Sequence, residues 1–264
     1  MDLGIQNRRA FVTGSTAGIG LEIARSLLRE RVSVIINGRT KPSVDLAMKS
    51  LHESHPDADV AAFIGDLSDE DTCKRLHAMY PVLDILINNI GMYESVEFED
   101  ITSEQWNKIF QTNVMSGVML SKLYLASMKK RNWGRIVFIS SESALNVPTD
   151  MIHYGVTKTA QLSVARGLAE TCTGTGVTVN SVLPGPTLSP GVVTFLDKLS
   201  VKDRVSKEKI EAHFFKKYRS SSIIRRFIKP EEIGDIVAFI ASERAAVING
   251  AALKAEGGLV RTIY

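Results

Sequence analysis

Short apolar segments alternate with helical patterns along nearly the whole chain, and this alternation restricts the possible folds more than any other feature of the sequence. The segments 8–14, 83–89 and 134–140 have the largely apolar pattern of buried strands, and amphipathic helical patterns occupy 18–31 and 154–171. Strands of this kind, separated by helices, indicate a parallel sheet that helices cover on both faces. The sequence therefore predicts an α/β, doubly wound, Rossmann-type fold with a mostly parallel seven-stranded sheet in a single domain.

The segment 188–229 interrupts this alternation, because it is less regular and rich in lysine and arginine. It follows the sixth predicted strand, and loops at the carboxyl edge of a parallel sheet line the ligand crevice. We therefore expect 188–229 to be a substrate lid within the single domain 1–264. Solvated helix faces, with lysine stems lying on apolar surface, would produce the same charge pattern. Before this segment, we expect a long helix over 102–130.

Composition and charge argue against several classes of protein. The formal net charge of +3 is too small to indicate nucleic-acid binding, and no run of about 18 apolar residues predicts a membrane span. Cys73 and Cys172 are too few for a disulfide framework and are not spaced for zinc. We expect a cytoplasmic protein with a small-molecule substrate, which binds neither nucleic acid, nor a membrane, nor a metal ion.

A glycine-rich turn, V-T-G-S-T-A-G-I-G, follows the first strand and opens the first helix. Gly14, Gly18 and Gly20 allow a sharp turn and a close approach of the backbone to a ligand. The helix N-terminus offers free N–H groups and a partial positive charge to a pyrophosphate. The spacing differs from the common G-x-G-x-x-G, so a tight turn without a ligand is the alternative. The predicted dinucleotide-binding turn comprises Gly14, Ser15, Thr16, Gly18, Ile19 and Gly20.

The end of the second strand indicates which dinucleotide is bound. An acidic residue there would accept a hydrogen bond from the ribose 2′-OH of NAD, whereas an arginine accommodates the 2′-phosphate of NADP. The sequence reads I-I-N-G-R-T-K, with no carboxylate before Arg39 and Thr40. A guanidinium offers a planar fork to phosphate oxygens, and the threonine adds a hydroxyl. We predict NADP (NADPH) as the cofactor, although Arg39 could also be an ordinary surface arginine.

Tyr154 and Lys158 lie four residues apart, which places them on one face of the predicted helix. Alone, this pair could be an idle helix face. However, an ordered series of motifs accompanies it: T-G-x-x-x-G-x-G, N-N-I-G at 88–91, Asn113, Ser141, Y-x-x-x-K and P-G at 184–185. Together these motifs resemble the short-chain dehydrogenase/reductase family over essentially the whole chain. The resemblance extends to its NADP-preferring 3-oxoacyl-(acyl-carrier-protein) reductase-like members.

The resemblance implies a catalytic tetrad of Asn113, Ser141, Tyr154 and Lys158. Tyr154 would exchange a proton with a carbonyl or alcohol oxygen. Its pKa of ~10 would be lowered by the charge of Lys158 and of an oxidised nicotinamide. Ser141 would hold the substrate oxygen and stabilise charge that develops there. Asn113 would steady Lys158 through an ordered water.

The resemblance also implies contacts along the cofactor and around the substrate. Asp66 and Leu67 would lie at the adenine. Further cofactor contacts would come from Asn89, Gly91, Tyr154, Lys158, Pro184, Gly185 and Thr187. The sequence departs from the family at Ile90, where alanine is usual. The predicted substrate pocket comprises Met92, Tyr93, Ser141, Leu145 and Met151.

These features predict an NADP(H)-dependent oxidoreductase that transfers a hydride between nicotinamide and a carbonyl or secondary alcohol. The basic lid would favour an anionic or carrier-linked substrate, because clustered positive charge steers anions. The alternatives are a dehydrogenase of a neutral sugar, polyol or steroid using NAD(P), and a catalytically idle nucleotide-binding regulatory protein. The helices 102–130 and 154–171 are apolar on more than one face, and the family packs this pair against a second copy. A homotetramer is expected, with a homodimer as the alternative.

Overall fold

Residues 1–263, the part of the chain that the computed structural model describes, contain seven strands. The strands are β1 (Arg9–Val12), β2 (Ser33–Gly38), β3 (Val60–Ile64), β4 (Ile85–Asn88), β5 (Gly134–Ile139), β6 (Val177–Pro184) and β7 (Ala252–Ala255). They form one parallel sheet in the order β3-β2-β1-β4-β5-β6-β7. The strand order reverses between β1 and β4, where doubly wound sheets open a crevice at their carboxyl edge. The predicted doubly wound, seven-stranded sheet is confirmed.

Helices cover both faces of the sheet. They are α1 (Gly18–Arg29), α2 (Lys41–Ser54), α3 (Glu70–Met79), α4 (Ser103–Phe110), α5 (Ser116–Lys130), α6 (Ile152–Glu170), α7 (Pro190–Asp203), α8 (Ile210–Lys217) and α9 (Pro230–Ile240). Side chains alternate between the faces of each strand. Val12 therefore joins the apolar layer under α1, α2 and α9, whereas Phe11 joins the layer under α3, α5 and α6. Within residues 1–263, no helix combines the length and the apolar character that a membrane span requires.

The helix predicted over 102–130 is divided by a π-helical turn. Thr102 caps α4, accepting a hydrogen bond from Gln105 N while the Gln105 side chain accepts one from Thr102 N. The π-turn then occupies Gln111–Met115, and α5 follows it without a break in the helical backbone. Single π-turns often occur at functional sites, and this one contains Asn113.

The segment 188–229 is more regular than the sequence predicted, because it contains α7 and α8. These helices share a small apolar cluster of their own, in which the rings of Phe214 and Phe227 stack at 5.0 Å. Asp203 joins the two helices, since its Oδ2 accepts hydrogen bonds from His213 Nε2 (2.7 Å), Lys217 Nζ (3.0 Å) and Tyr218 OH (2.8 Å). These bonds hold the pKa of Asp203 well below its usual range. Part of the basic charge in the segment is therefore paired within it.

Two helical glycines differ in how much space surrounds them, and the one in α5 tests how closely that helix packs on the sheet. A Cβ at Gly117 would lie 2.7 Å from the buried Phe138 ring, whereas a Cβ at Gly167 in α6 would meet nothing within 4 Å. We expect Gly117→Ala to lower the free energy of unfolding by about 1–3 kcal/mol, because the core is overpacked. Gly167→Ala is the matched control and should raise that free energy by about 0.5–1 kcal/mol through helix propensity. Urea unfolding measures both, and equal effects would contradict the packing described.

Candidate active site

The glycine turn lies between the end of β1 and the start of α1. Gly14 and Gly18 have φ values of 58° and 56°, in the left-handed region that favours glycine. A Cβ at Gly20 would lie 2.5 Å from both Asn89 Nδ2 and the Gly14 carbonyl oxygen. Asn89 Nδ2 in turn donates to the carbonyl oxygens of Thr13 (2.9 Å) and Gly14 (3.0 Å). The turn is thus tied to the end of β4 at a spacing that requires glycine.

The first turn of α1 suits a bound anion. Its N-cap residue, Ala17, has no capping side chain, and the first turn contains no acidic residue. The N–H groups at this end of the helix therefore lack a side-chain partner, and the helix dipole adds positive potential. These observations fit a dinucleotide pyrophosphate at the turn.

The other predicted residues of the turn have different environments. Ser15 is fully buried, and its hydroxyl donates to Val12 O (2.7 Å) and accepts from Asn37 N (2.9 Å), so that it joins β1 to β2. Thr16 and Ile19 are partly exposed. The side chain of Ser15 is therefore structural, and a ligand could meet only its main chain.

Arg39 and Thr40 follow β2 and are exposed. The Thr40 hydroxyl lies 2.9 Å from Ser43 Oγ. Arg39 has no hydrogen bond or ion pair with any other residue of 1–263, whereas its neighbour Lys41 is paired with Asp45 at 2.6 Å. The guanidinium is consequently available to a phosphate group.

At the predicted adenine end, the two residues differ in accessibility. Asp66 is exposed, and its Oδ1 accepts hydrogen bonds from Ser68 N (3.0 Å) and Ser68 Oγ (2.7 Å). The side chain of Leu67 is fully buried in the layer under α3, so only its main chain can border a ligand. Ile90, the departure from the family pattern, packs beside the glycine turn, since a Cβ at Gly14 would lie 3.1 Å from its Cγ1.

Lys158 and Tyr154 are brought together on the face of α6 that meets the carboxyl edge of the sheet. Lys158 is buried, and its Nζ donates to Ile139 O at the end of β5 (2.8 Å) and to Gln161 Oε1 (3.3 Å). The same Nζ lies 5.7 Å from the centre of the Tyr154 ring. A Cβ at Gly91 would lie 3.3 Å from Nζ, so the ammonium also borders the segment after β4.

Ser141 begins a chain of polar groups beside Tyr154. Its hydroxyl donates to Glu142 Oε2 (2.9 Å) and is near enough to the Tyr154 phenol to affect the pKa of that group. Glu142 is buried, and its Oε1 lies 3.4 Å from Nε of Arg219, beyond α8. Nothing in the sequence indicated that Glu142 is paired with Arg219, because the two positions are 77 residues apart. Ser140, by contrast, donates to Lys158 O (2.8 Å) and serves the backbone of α6.

Burial moves the pKa values of the two central groups in opposite directions. It raises the pKa of Tyr154 above its usual value, while the nearby Ser141 hydroxyl lowers that pKa and the charge of Glu142 raises it further. Burial lowers the pKa of Lys158 to about 7. The sequence predicted a lowered pKa for Tyr154 under the charges of Lys158 and an oxidised nicotinamide. In the chain by itself the direction is the opposite, because burial disfavours the phenolate.

Asn113 lies in the π-turn and is buried. Its side chain accepts a hydrogen bond from Met92 N (2.8 Å) and donates to Met92 O and Thr157 Oγ1 (2.9 Å each). Its main-chain oxygen accepts a hydrogen bond from Gln161 Nε2 (2.6 Å). The sequence predicted a link from Asn113 to Lys158 through an ordered water. The structure also has the Gln161 amide in contact with the Asn113 main chain and with Lys158 Nζ.

Among the predicted substrate residues, Tyr93 contacts the Tyr154 ring. Tyr93 makes an edge-to-face contact with it, with ring centres 6.2 Å apart. Met92 and Met151 are partly buried, and Leu145 is exposed. A Cβ at Gly191 would lie 2.9 Å from the Tyr93 hydroxyl, so α7 of the 188–229 segment borders this pocket.

The end of β6 lies at the same carboxyl edge of the sheet as the end of β5. Pro184 is the last residue of the strand, and a Cβ at Gly185 would lie 2.7 Å from Glu256 O. Thr187 is buried, and its hydroxyl donates to Gly185 O (2.9 Å). Across residues 1–263, no group of three or more His, Cys, Asp or Glu side chains could hold a metal ion.

The fold and these positions define a dinucleotide-binding α/β protein. The family model described as short chain dehydrogenase matches residues 8–198. The chain therefore belongs to the short-chain dehydrogenase family, as the motifs predicted.

Comparisons with individual proteins agree with this assignment. The chain is 46% identical over 264 residues to the uncharacterized oxidoreductase YvaG of Bacillus subtilis, with 100% of both chains covered. It is 29% identical over 261 residues to a 3-oxoacyl-(acyl-carrier-protein) reductase of Buchnera aphidicola subsp. Acyrthosiphon pisum, with 97% of this chain and 99% of the relative covered. The crystal structure of L-sorbose reductase from Gluconobacter frateurii with NADPH and L-sorbose is similar over 100% of both chains, with a TM-score of 0.91 and 27% identity. The chain is an oxidoreductase of this family.

Proposed function

We propose that this protein is an NADP(H)-dependent carbonyl reductase, or a secondary-alcohol dehydrogenase in the reverse direction. The observation that carries the proposal is the buried Lys158 beside Tyr154, with the Ser141 hydroxyl also near the phenol. These groups lie at the carboxyl edge of the sheet, where the glycine turn is also found. When bound, NADPH supplies the hydride.

Each side chain has a distinct role in this proposal. The raised pKa of Tyr154 keeps its phenol protonated near neutral pH, which suits a proton donor to a carbonyl oxygen. Ser141 donates a hydrogen bond to the same oxygen as negative charge develops there, which requires its single O–H to turn from Glu142 Oε2 to the substrate. The Lys158 ammonium stabilises the phenolate that remains after proton transfer. Asn113 fixes the segment after β4 and the first half of α6 relative to these groups.

The preference for NADP(H) rests on the end of β2. Arg39 is exposed there, without an ion pair to any residue in 1–263, and no carboxylate precedes it. NADPH is also the nucleotide in the similar L-sorbose reductase structure. The residues that would hold the cofactor are Gly14, Ser15, Thr16, Gly18, Ile19, Gly20, Arg39, Thr40, Asp66, Leu67, Asn89, Gly91, Tyr154, Lys158, Pro184, Gly185 and Thr187.

Two substrate classes compete in this proposal, with 188–229 as the lid over the pocket. The basic charges of that segment favour a carrier-linked 3-oxoacyl substrate, the class named for the Buchnera relative. Lys207 and Lys217 weaken this attraction, because Asp197 and Asp203 pair with them. The ion pair of Glu142 with Arg219 beside the Ser141 hydroxyl instead favours a neutral ketose or polyol, whose hydroxyls can both donate and accept. L-sorbose in the similar reductase structure supports this second candidate.

The same proposal includes a homotetramer or a homodimer. Phe110 at the end of α4 and Val156 on α6 are exposed apolar side chains, and Met119 on α5 is only partly buried. Apolar surface on neighbouring helices is typical of a face that packs against a second copy of the chain.

Replacing the phenolic hydroxyl tests the chemistry directly. We expect Tyr154→Phe to lower turnover at least about 100-fold, because the proton donor is lost. The dissociation constant of NADPH should rise by less than about tenfold, since Tyr154 is one of many proposed cofactor contacts and the glycine turn is untouched. NADPH oxidation against a panel of ketoses and 3-oxoacyl thioesters is the assay, and fluorescence titration measures binding. Ser141→Ala should lower turnover at least about tenfold.

Ser140→Ala is the matched control for that series, because Ser140 bonds only the α6 backbone. It should lower stability and leave turnover nearly unchanged. Full activity in Tyr154→Phe would refute the proposal. NADPH binding by the unaltered protein without turnover on any substrate of the panel would favour a catalytically idle nucleotide-binding protein.

The cofactor preference has its own test. We expect Arg39→Ala to raise the dissociation constant of NADPH about 10- to 100-fold, because a charge-assisted phosphate contact is lost. The dissociation constant of NADH should change less than about twofold. Lys49→Ala, which removes an exposed positive charge from α2, is the charge-matched control. Equal weakening of both nucleotides by Arg39→Ala would overturn the assignment.

A further inference from the structure

Gln161 connects two residues of the proposed catalytic tetrad. It follows Lys158 by three positions and therefore lies on the same face of α6. Its side chain is buried, with 1% of the residue exposed. Nε2 donates to Asn113 O at 2.6 Å, and Oε1 accepts from Lys158 Nζ at 3.3 Å. The amide thus bridges the π-turn and the buried ammonium.

The orientation of this amide follows from hydrogen-bonding capacity. The main-chain oxygen of Asn113 can only accept, so the NH₂ group of Gln161 must face it. The amide oxygen then faces Lys158, whose ammonium has three N–H donors. Two of them are used by Ile139 O and Gln161 Oε1. One N–H is left for the side of the site that Tyr154 borders.

We propose that Gln161 is a positioning residue of the proposed reductase, which holds the charged Lys158 against Tyr154 by accepting one of its N–H groups. The role in catalysis rests on the proposed function. The position of the Lys158 ammonium rests on the two hydrogen bonds of Gln161. An apolar residue at 161 would leave the ammonium with Ile139 O as its one hydrogen-bond acceptor among the contacts described above.

Gln161 matters for the charge of Lys158 because few other groups stabilise the ammonium. The π-turn and β6 contain no titratable side chain. The titratable side chains on α6 near Lys158 and on the other elements packed against it are Tyr93, Glu104, Lys108, Arg135, Glu142, His153 and Tyr154. Glu104 and Lys108 are exposed, Arg135 is at the opposite end of β5, and Glu142 is paired with Arg219. Carbonyl oxygens are therefore the groups that favour the protonated form, and burial opposes them.

Two substitutions at Gln161 both remove the N–H donor to Asn113 O and differ in whether an acceptor for Lys158 remains. Gln161→Met is similar in length but cannot accept from Lys158, so the pKa of Lys158 should fall by about one unit. Gln161→Glu keeps an acceptor, adds negative charge and should raise that pKa by about one unit. NMR titration of the Lys158 side-chain nitrogen in the protein without nucleotide measures both shifts, with Lys158→Met providing the assignment.

Activity provides the second readout. Because the charged lysine is required, the alkaline limb of the kcat profile should move to lower pH in Gln161→Met and to higher pH in Gln161→Glu. The KM for the carbonyl substrate should change less than about twofold, since Gln161 is buried behind Lys158. If the unaltered protein has no reductase activity, the proposed function fails, and the NMR titration still decides the role of Gln161.

Gln111→Met is the control, because Gln111 Nε2 also donates to a main-chain oxygen, Ser68 O at 2.7 Å, but its side chain has no hydrogen bond with Lys158. It should leave the pKa of Lys158 unchanged. The proposal is overturned if Gln161→Met and Gln161→Glu leave that pKa unchanged, or shift it in the same direction. If Gln161→Met does not fold, Gln161→Glu decides alone, and a lowered or unchanged pKa overturns the proposal.

Discussion

A buried ammonium, that of Lys158, is the constraint on which the rest of the site depends. A charge removed from water must find hydrogen-bond acceptors in the protein, or it is lost by deprotonation. The acceptors here are Ile139 O at the end of β5 and the amide of Gln161, which is itself anchored to the π-turn through Asn113. The end of β5, the helix α6 and the π-turn must therefore meet at the Lys158 ammonium. Tyr154 shares the same helix face and is positioned by that meeting.

The fold was largely predictable because buried parallel strands are apolar on both faces, which produces a sequence signal that needs no partner residue. The division of the 102–130 helix was not predictable, because Q-T-N-V-M has an ordinary helical pattern that does not distinguish a π-turn from an α-helix. The two helices in 188–229 were also missed. Their apolar side chains, such as Phe214, pack on one another rather than on the sheet, and lysines on the exposed faces obscure the period.

In the site, motifs identified residues whose spacing is local, such as Gly14, Gly18 and Gly20, and the pair on α6. Properties that depend on tertiary contacts were not accessible from the sequence. The role proposed for Gln161 depends on its hydrogen bond to the carbonyl oxygen of Asn113, which is 48 positions away. The direction of the Tyr154 pKa shift depends on burial, which outweighs the lowering effect of the Ser141 hydroxyl in the chain by itself. The side chain of Leu67 looked available at the predicted adenine end and is instead part of the core.

The most direct test of the whole account is a crystal structure of this protein grown with NADPH. The account predicts phosphates at the Gly14–Gly20 turn, the 2′-phosphate against Arg39, and the nicotinamide facing the Tyr154 hydroxyl with Lys158 beside it. A nucleotide bound elsewhere, or one whose nicotinamide points away from Tyr154, would contradict the central claim that these side chains form one hydride-transfer site.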